Sequence, residues 1–354
     1  MTSYKIALYI LSGLVIIATT LPLIRKDHWS FRIFDYPRLQ KLTILGTTFA
    51  LWIVFFYDTR LWIDLVIMGS LLVQFLFLLY VVLPYTALSK PMIARVADTG
   101  QEKITILVAN VFQDNNDFAK LLALVELRDP DVIFLLETDQ KWLKGVKSLK
   151  KTHPYFIEVP KDNTYGLLFY SKFPLHNVEV NYLIDKEIPS IVADVEFDDQ
   201  QIRIYGLHPM PPVPQESEFS TSRDAEILLI GKEAKKHKGP CLVIGDLNDV
   251  AWSYSTTLFL KASGLLDPRR GRGVYSTFNA NYKLLRWPLD HIFVSSHFRL
   301  ISMNVEKHIG SDHFPICICL CVADKDESNK LTADQEDKKL VEEKIVAGLI
   351  DEPR

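Results

Sequence analysis

A recurring set of polar residues stands where apolar runs of strand length begin or end: Asn110, Glu137, His208, Asp246, Asn248, Asp290, Asp312 and His313. The densest case is CLVIGDLNDVAWS, Cys241 to Ser253, in which an apolar run meets Gly245 and is followed at once by Asp246, Asn248 and Asp249. Taken alone, such residues are ordinary turn formers, because their side chains satisfy local backbone donors. Taken as a set they describe a rim, and rim loops on a rigid scaffold carry function. Glu137 follows the apolar run VIFLL, where an isolated buried carboxylate is costly. A hard cation removes that cost, and Mg²⁺ is typically held by one or two carboxylates together with water and substrate phosphate. Asp312 or Asn110 completes such a shell. His313 stands beside Asp312 and within reach of Asp290, and a carboxylate partner fixes its tautomer and favours the imidazolium, which suits a phosphate. Asp246 is placed to orient or deprotonate an attacking water, with Asn248 holding the aspartate or a phosphoryl oxygen. His208, in GLHP, is a further imidazole at a strand end. The chemistry these parts serve is metal-assisted in-line attack on phosphorus, where positioning and charge neutralisation supply most of the rate. Oxygen-rich ligation argues against zinc.

Positioning requires a sheet. Strands are expected at Lys103–Asn110, Val132–Glu137, Tyr165–Ser171, Ser190–Phe197, Ile202–Pro209 and Cys241 onward, then in LDHIFVS, FRLISMNVEK and HFPICICLCV. Between them, Asp117 opens a helical pattern with Phe118, Leu121, Leu122 and Val125 on one face, ending before Asp129-Pro130. Further helices are expected from about Ser222 to Lys236 and near Ser255 to Ser263. Helices mixed with paired strands favour a two-layer α/β sandwich over a strictly alternating Rossmann sheet.

The soluble part spans about Leu88 to Val322 of the 354 residues, enough for a full core. Before it lie three apolar runs, residues 6–24, 42–57 and 61–85, each close to the ~20 residues that cross a bilayer core. They define a membrane domain over residues 1–87 with three transmembrane helices. The first run is long for a signal peptide and lacks a small-x-small cleavage site. Arg25, Lys26, Arg32, Arg38 and Lys41 fill the first loop, against only Lys5 and Arg60 on the opposite side. By the positive-inside rule a multi-pass protein results, with its large domain in the cytoplasm. Residues 323–354 form a charged tail with a weak amphipathic helix, on the surface or disordered. The formal net charge of -3 gives no basic footprint of a dedicated duplex-DNA binder. Cys317, Cys319 and Cys321 alternate along one strand, a spacing that suits neither zinc pairs nor disulfides, and read as reduced packing residues.

The ordered series Asn110, LLE ending at Glu137, YGLLFYS, LHP with His208, GDLN with Asp246 and Asn248, LDHIF with Asp290, and SDH with Asp312 and His313 resembles the endonuclease/exonuclease/phosphatase superfamily over about residues 103–322. The resemblance implies a four-layer αββα sandwich of the DNase I type, Mg²⁺ or Mn²⁺ dependence, and hydrolysis of phosphodiesters or phosphomonoesters. By motif position, Glu137 resembles the metal-binding glutamate, Asp246 and Asn248 the nucleophile-orienting pair, Asp290 the partner of a catalytic histidine, and Asp312 with His313 the terminal Asp-His pair. Asn110 matches the first-strand asparagine, and His208 stands where members carry a His or an aromatic. Two positions depart from the family pattern. Phe112 replaces a further acid, and Leu136 replaces the Gln before the metal glutamate.

For substrate, Arg269, Arg270 and Arg272 in PRRGRG are suited to holding phosphate oxygens. Phe278, Tyr282 and Trp287 precede Asp290, where they stack bases with Arg286, pack the sandwich or touch lipid. Three readings follow: a membrane-tethered nuclease, a phosphodiesterase or phosphatase of lipid head groups, and a non-catalytic membrane adaptor binding a phosphorylated partner.

Overall fold

The computed structural model describes residues 3–56 and 62–350. The amino-terminal part contains α1 (Ser3–Thr20), the one-turn α2 (Trp29–Arg32), α3 (Arg38–Leu51) with a π-helical continuation Trp52–Phe56, and α4 (Trp62–Val82). With their short 3₁₀ extensions, α1 and α4 make two helices, Ser3–Ile24 and Trp62–Tyr85, long and apolar enough to cross a membrane. The middle apolar run forms α3 and its π-helical continuation, together Arg38–Phe56, and the first turns carry Arg38 and Lys41, both buried. Lys41 Nζ donates to the carbonyls of Ala18 (3.0 Å) and Phe34 (2.7 Å), so its charge is spent on helix and loop ends. Leu45 and Trp52 of α3 pack with Leu8 and Val15 of α1 and Leu71 and Leu78 of α4. Tyr57, Arg60 and Leu61, where two of the expected runs meet, lie outside the described residues.

The sandwich follows as β1 (Ile104–Asn110), α5 (Phe118–Arg128), β2 (Val132–Leu136), α6 (Gln140–Gly145), β3 (Tyr155–Val159), β4 (Leu167–Ser171), β5 (Leu175–Asn181), β6 (Ser190–Phe197), β7 (Gln200–Leu207), α7 (Thr221–Lys236), β8 (Cys241–Asp246), α8 (Tyr254–Ser263), β9 (Asp290–Val294), β10 (Phe298–Val305), β11 (Ile316–Val322) and α9 (Gln335–Ile350). One sheet has the order β10-β11-β1-β2-β4-β3 and the other β5-β6-β7-β8-β9. Strand alternation builds the layers. Ile106 and Val108 of β1 face Ile204, Leu242 and Ile244 of the second sheet, whereas Leu107 and Ala109 face Leu121 and Trp142 of α5 and α6. On the far side, Val243 and Phe293 meet Leu228 and Phe259 of α7 and α8. The result is the expected αββα sandwich. Strands β3 and β5 had no clear signature, since β5 is an almost wholly solvated edge strand without an apolar face.

Each sheet contains one parallel crossover, β1-α5-β2 and β7-α7-β8. Their carboxyl ends open on a common rim, together with the starts of β4, β9 and β11, which run antiparallel to β2, β8 and β1. The tail is part of the body. Val341 and Ile345 of α9 join the core against α7, and Gly348 lies so close to it that a Cβ there would stand 2.2 Å from that of Ala225. The expectation of a surface or disordered tail fails because the apolar stripe of α9 has a partner that sequence periodicity cannot reveal. All four cysteines are free and buried, as the reading required.

Candidate active site

The rim collects residues from strand ends of both sheets. Asn110 closes β1, and Glu137 follows β2 in the left-handed region (φ 58°). Asp246 closes β8 after Gly245, whose φ of 140° brings its α-carbon so near β7 that a Cβ would meet the Leu207 carbonyl oxygen at 1.9 Å. Only glycine fits there. Asn248, again left-handed at φ 50°, turns the chain back under Asp246, whose Oδ1 accepts from the Asn248 N–H at 2.9 Å. Asp290 opens β9 directly opposite Asp246. His313 is set by the loop before β11, where Ser311 Oγ donates to the Asn110 carbonyl (2.8 Å) and accepts from the His313 N–H (2.9 Å).

These placements converge. Asn110 Nδ2 donates to Glu137 Oε1 at 2.7 Å and to Asp246 Oδ2 at 3.1 Å, bridging the two sheets. His313 Nδ1 lies 2.8 Å from Asp290 Oδ2, and its Nε2 lies 3.4 Å from Asp246 Oδ2. Asn248 does not point at the reacting centre with its amide hydrogens. Its Nδ2 donates to the Pro209 carbonyl at 2.9 Å, so it fixes the turn that carries Asp246. His208 is buried, its Nδ1 is without a hydrogen-bond partner among the described residues, and its ring lies 5.3 Å from that of Tyr165, tilted by 43°. Asp312 lines the same cleft beside His313.

Charge in this cluster is unbalanced. Burial alone would lower the His313 pKa, but Asp290 and Asp246 raise it to about 10, so the ring is an imidazolium at neutral pH. Burial pushes Glu137 up to about 7 and raises Asp312 as well. His208 is lowered by burial and is neutral. Four carboxyl groups thus share one imidazolium, and among the described residues Glu137 has an amide and a long backbone N–H (3.4 Å, from Gln113) to hold it. An all-oxygen donor set short of positive charge fits a hard divalent cation. Asp246, Asp290 and His313 also offer ligand atoms within 4.8 Å of one another; His313 Nδ1 pairs with Asp290 Oδ2, while Asp290 Oδ1 has no partner among the described residues.

The arginine loop is a correction. Arg269 is 1% exposed, and its Nε and Nη2 each donate to Asp267 at 2.9 Å, with Nη2 also 2.6 Å from His291 Nδ1. Arg272 donates to the carbonyls of Pro268 and Ile93, and Arg270 lies over the Tyr85 ring at 5.4 Å. The loop folds inward because Gly271 (φ 77°) donates its N–H to the Pro84 carbonyl at 2.7 Å. The guanidinium fork serves carboxylates and carbonyls as well as phosphates. Here it staples the linker after α4, and none of the three lines the cleft.

Other contributors carried no signal in the sequence. Tyr36 Oη (3.1 Å) and Arg223 Nη1 (2.7 Å) both donate to the Asn248 carbonyl, holding the turn after β8 from outside. Thr277 Oγ1 accepts the Asp290 N–H at 3.2 Å. Trp287 stands half-buried at the cleft, packed against the cluster of Val250, Ala251 and Leu289 and edge-on to Tyr36 at 5.7 Å.

The sequence profile of the Endonuclease/Exonuclease/phosphatase family matches residues 107–313, more than half the chain. This chain belongs to that family. Members are metal-dependent phosphoester hydrolases, and this endonuclease/exonuclease/phosphatase member is one of them. Among solved structures it is similar to D. rerio TDP2 complexed with single strand DNA product, at 18% identity and TM-score 0.51 over 63% of this chain and 100% of that one. The human Nocturnin catalytic domain with bound sulfate anion is similar at 16% and 0.51, over 62% and 95%. An endonuclease/exonuclease/phosphatase from Beutenbergia cavernae DSM 12333 is similar at 12% and 0.52, over 64% and 73%. At these identities the likeness is one of fold. No curated protein matches the chain.

Proposed function

We propose that this hydrolase is a Mg²⁺-dependent phosphodiesterase, with Mn²⁺ as an alternative ion, tethered to a membrane by α1, α3 and α4 with its catalytic domain in the cytoplasm. The observation that carries the chemical part is the relay Asp290–His313–Asp246, in which one imidazolium lies between two carboxylates at 2.8 and 3.4 Å. Asp290 fixes the ring, so the Nε2–H faces the place where a phosphoryl oxygen gains negative charge. Asp246 orients the attacking water and accepts its proton. Asn248, through its hydrogen bonds to Pro209 and Asp246, keeps that carboxylate still. His208, neutral, donates to a phosphoryl oxygen without adding charge. A divalent cation held by Glu137, with Asn110 and Asp312 beside it, would neutralise the phosphate. A positioned general base is worth roughly 10²–10⁴-fold and an oxyanion donor roughly 10²–10³-fold. The two long apolar helices support the tether, and with α3 as the third crossing the basic segment between α1 and α3 lies on the side of the catalytic domain and supports its orientation.

Hydrolysis of bis(p-nitrophenyl) phosphate by the detergent-purified chain tests this reading. Turnover with Mg²⁺, its loss in EDTA, and its loss in Asp246→Ala and His313→Ala are expected. Near-normal turnover in both variants overturns the site assignment. Glu137→Gln should raise the Mg²⁺ concentration for half-maximal activity, and an unchanged requirement removes Glu137 from the metal site.

The phosphodiester class to which the reading applies is a nucleic acid or a lipid head group. The first is the class named for the TDP2 structure, and the cleft above the site bears on the second.

A further inference from the structure

The family match begins at Leu107, yet the cleft over the reacting centre is not built by the family part alone. It has a volume of about 680 Å³, and one wall is Trp29, Ile33 and Tyr36, from the segment that joins α1 to α3. Pro211, Pro212 and Val213 face them. Phe278, 4.8 Å from the His313 ring, carries the apolar surface down to the catalytic histidine. The wall is fixed in place. Besides the Tyr36 bond to Asn248, the Trp252 indole donates to the Asp35 carbonyl at 2.9 Å, and the Trp29 N–H donates to the Glu218 carbonyl at 2.8 Å.

Two features decide what such a cleft accepts. A single-strand nucleic-acid groove combines stacking aromatics with cations that track the backbone. Here the aromatics are present but the backbone-tracking Lys and Arg are not. Among the described residues Arg32 is the one Lys or Arg in the lining, and it already pairs with Asp27 at 2.7 Å, while Glu137, Glu216, Asp246 and Asp312 are acids around the single His313 imidazolium. The cleft also opens where the long helices end. Gln40, in the first turn of α3, donates to the Leu284 carbonyl at 2.8 Å, and this ties the 279–286 loop to the helix ends. On that loop Tyr282, Leu284 and Leu285 are exposed by 58%, 85% and 46%, and Ile33 at the wall by 53%. Apolar surface therefore runs from the catalytic histidine to the level at which α1 and α3 meet.

Resting on the phosphodiesterase reading, we propose that the substrate is a membrane phosphodiester lipid, its phosphate on the Asp246–His313 floor and its hydrocarbon against Trp29, Ile33 and Tyr36. Water oxygen bonds to phosphorus, one P–O ester bond breaks, and the departing alkoxide takes a proton, leaving a phosphomonoester and an alcohol.

Three p-nitrophenyl diesters sharing one leaving group test it on the full chain in detergent with Mg²⁺: ethyl, hexadecyl and thymidine 5′. The hexadecyl ester should exceed the ethyl ester in kcat/KM by at least about 30-fold, since each buried methylene is worth about 0.8 kcal/mol. Trp29→Ala and the milder Ile33→Ser should each narrow that ratio by about fivefold or more, which separates the wall from simple partitioning into micelles. A hexadecyl-to-ethyl ratio near one, or a ratio untouched by both wall variants, overturns the proposal, as does preference for the thymidine ester. Failure on all three esters would instead remove the phosphodiesterase reading beneath it.

Discussion

Asp246 and Asp249 stand three positions apart in one turn and belong to two buried charge clusters of opposite character. The first cluster, on the rim, gathers Glu137, Asp246, Asp290 and Asp312 around the single imidazolium of His313. The second lies behind it. There Asp224 pairs with Arg223 (2.8 Å) and Lys344 (3.0 Å), Asp27 with Arg32 (2.7 Å) and Lys344 (2.8 Å), and Asp249 approaches Arg223 at 3.6 Å. Three cations face three carboxylates, drawn from the segment before α3, from α7, from the catalytic turn and from α9. A charge-balanced buried network needs nothing further and locks elements together. An anion-rich one is incomplete by itself, and what completes it is a cation and a substrate phosphate. Balance of partners, not residue type, separates the structural cluster from the functional one.

The sharpest way to break that distinction is to neutralise one carboxylate in each. Asp246→Asn should lower kcat/KM on any phosphodiester by at least about 10³-fold, roughly 4 kcal/mol of transition-state stabilisation, with thermal unfolding almost unchanged. Asp224→Asn should act the other way round, removing about 3 kcal/mol of stability by leaving cations unpaired. Burial opposes ionisation of Asp224, but Lys344, Arg223 and Arg32 outweigh it and hold the carboxyl well below its ordinary range. Its stabilisation is therefore full above the unfolded value and is lost as pH falls through the folded one. The gap between wild type and Asp224→Asn should be constant from pH 5 to 8 and close below about pH 4. A large activity loss from Asp224→Asn at full stability would erase the distinction between the clusters.

The arginine loop sharpens the same point with a smaller effect. Arg269→Gln should cost about 2–3 kcal/mol in thermal unfolding, because it strands buried Asp267, and should leave KM for a soluble phosphodiester within about twofold. A selective rise in KM at unchanged stability would return the loop to phosphate binding.

What the sequence made legible follows from the range over which each signal acts. Apolar alternation and strand-end polar residues are local, so β1, β2, β7, β8, β9 and β11 were readable, and so was the meeting of Asn110, Glu137, Asp246, Asp290 and His313, once their motif order suggested the sandwich. Partnership is non-local and was not. PRRGRG reads identically whether its arginines face a phosphate or a backbone carbonyl, and GDLND does not say that its second aspartate turns inward toward Ser253 and Arg223. Trp29, Ile33 and Tyr36 lie in a basic inter-helix segment more than two hundred residues from Asp246 and Asn248, so no periodicity links them to the site. The short edge strand β5 escaped because nothing covers it.

The finest test of partner counting lies within one helix. Glu226 is two positions beyond Asp224 on α7, equally buried, and its Oε1 has no partner among the described residues. Burial, with a smaller push from Asp185, raises its pKa from 4.5 to about 8, the reverse of its neighbour. The folded chain therefore keeps this carboxyl protonated where the unfolded chain ionises it. That contribution to stability is full below pH 4.5 and is lost as pH rises toward 8. Glu226→Gln cannot ionise, so its stability relative to wild type should be small at pH 5 and favourable by roughly 3–5 kcal/mol at pH 8.5, a Tm gain of several degrees. Asp224→Asn and Glu226→Gln should then show pH dependences of opposite sign from positions two residues apart. A Glu226→Gln difference that is the same at both pH values would mean that Glu226 finds a cation in solution, and that burial without a partner does not set its charge.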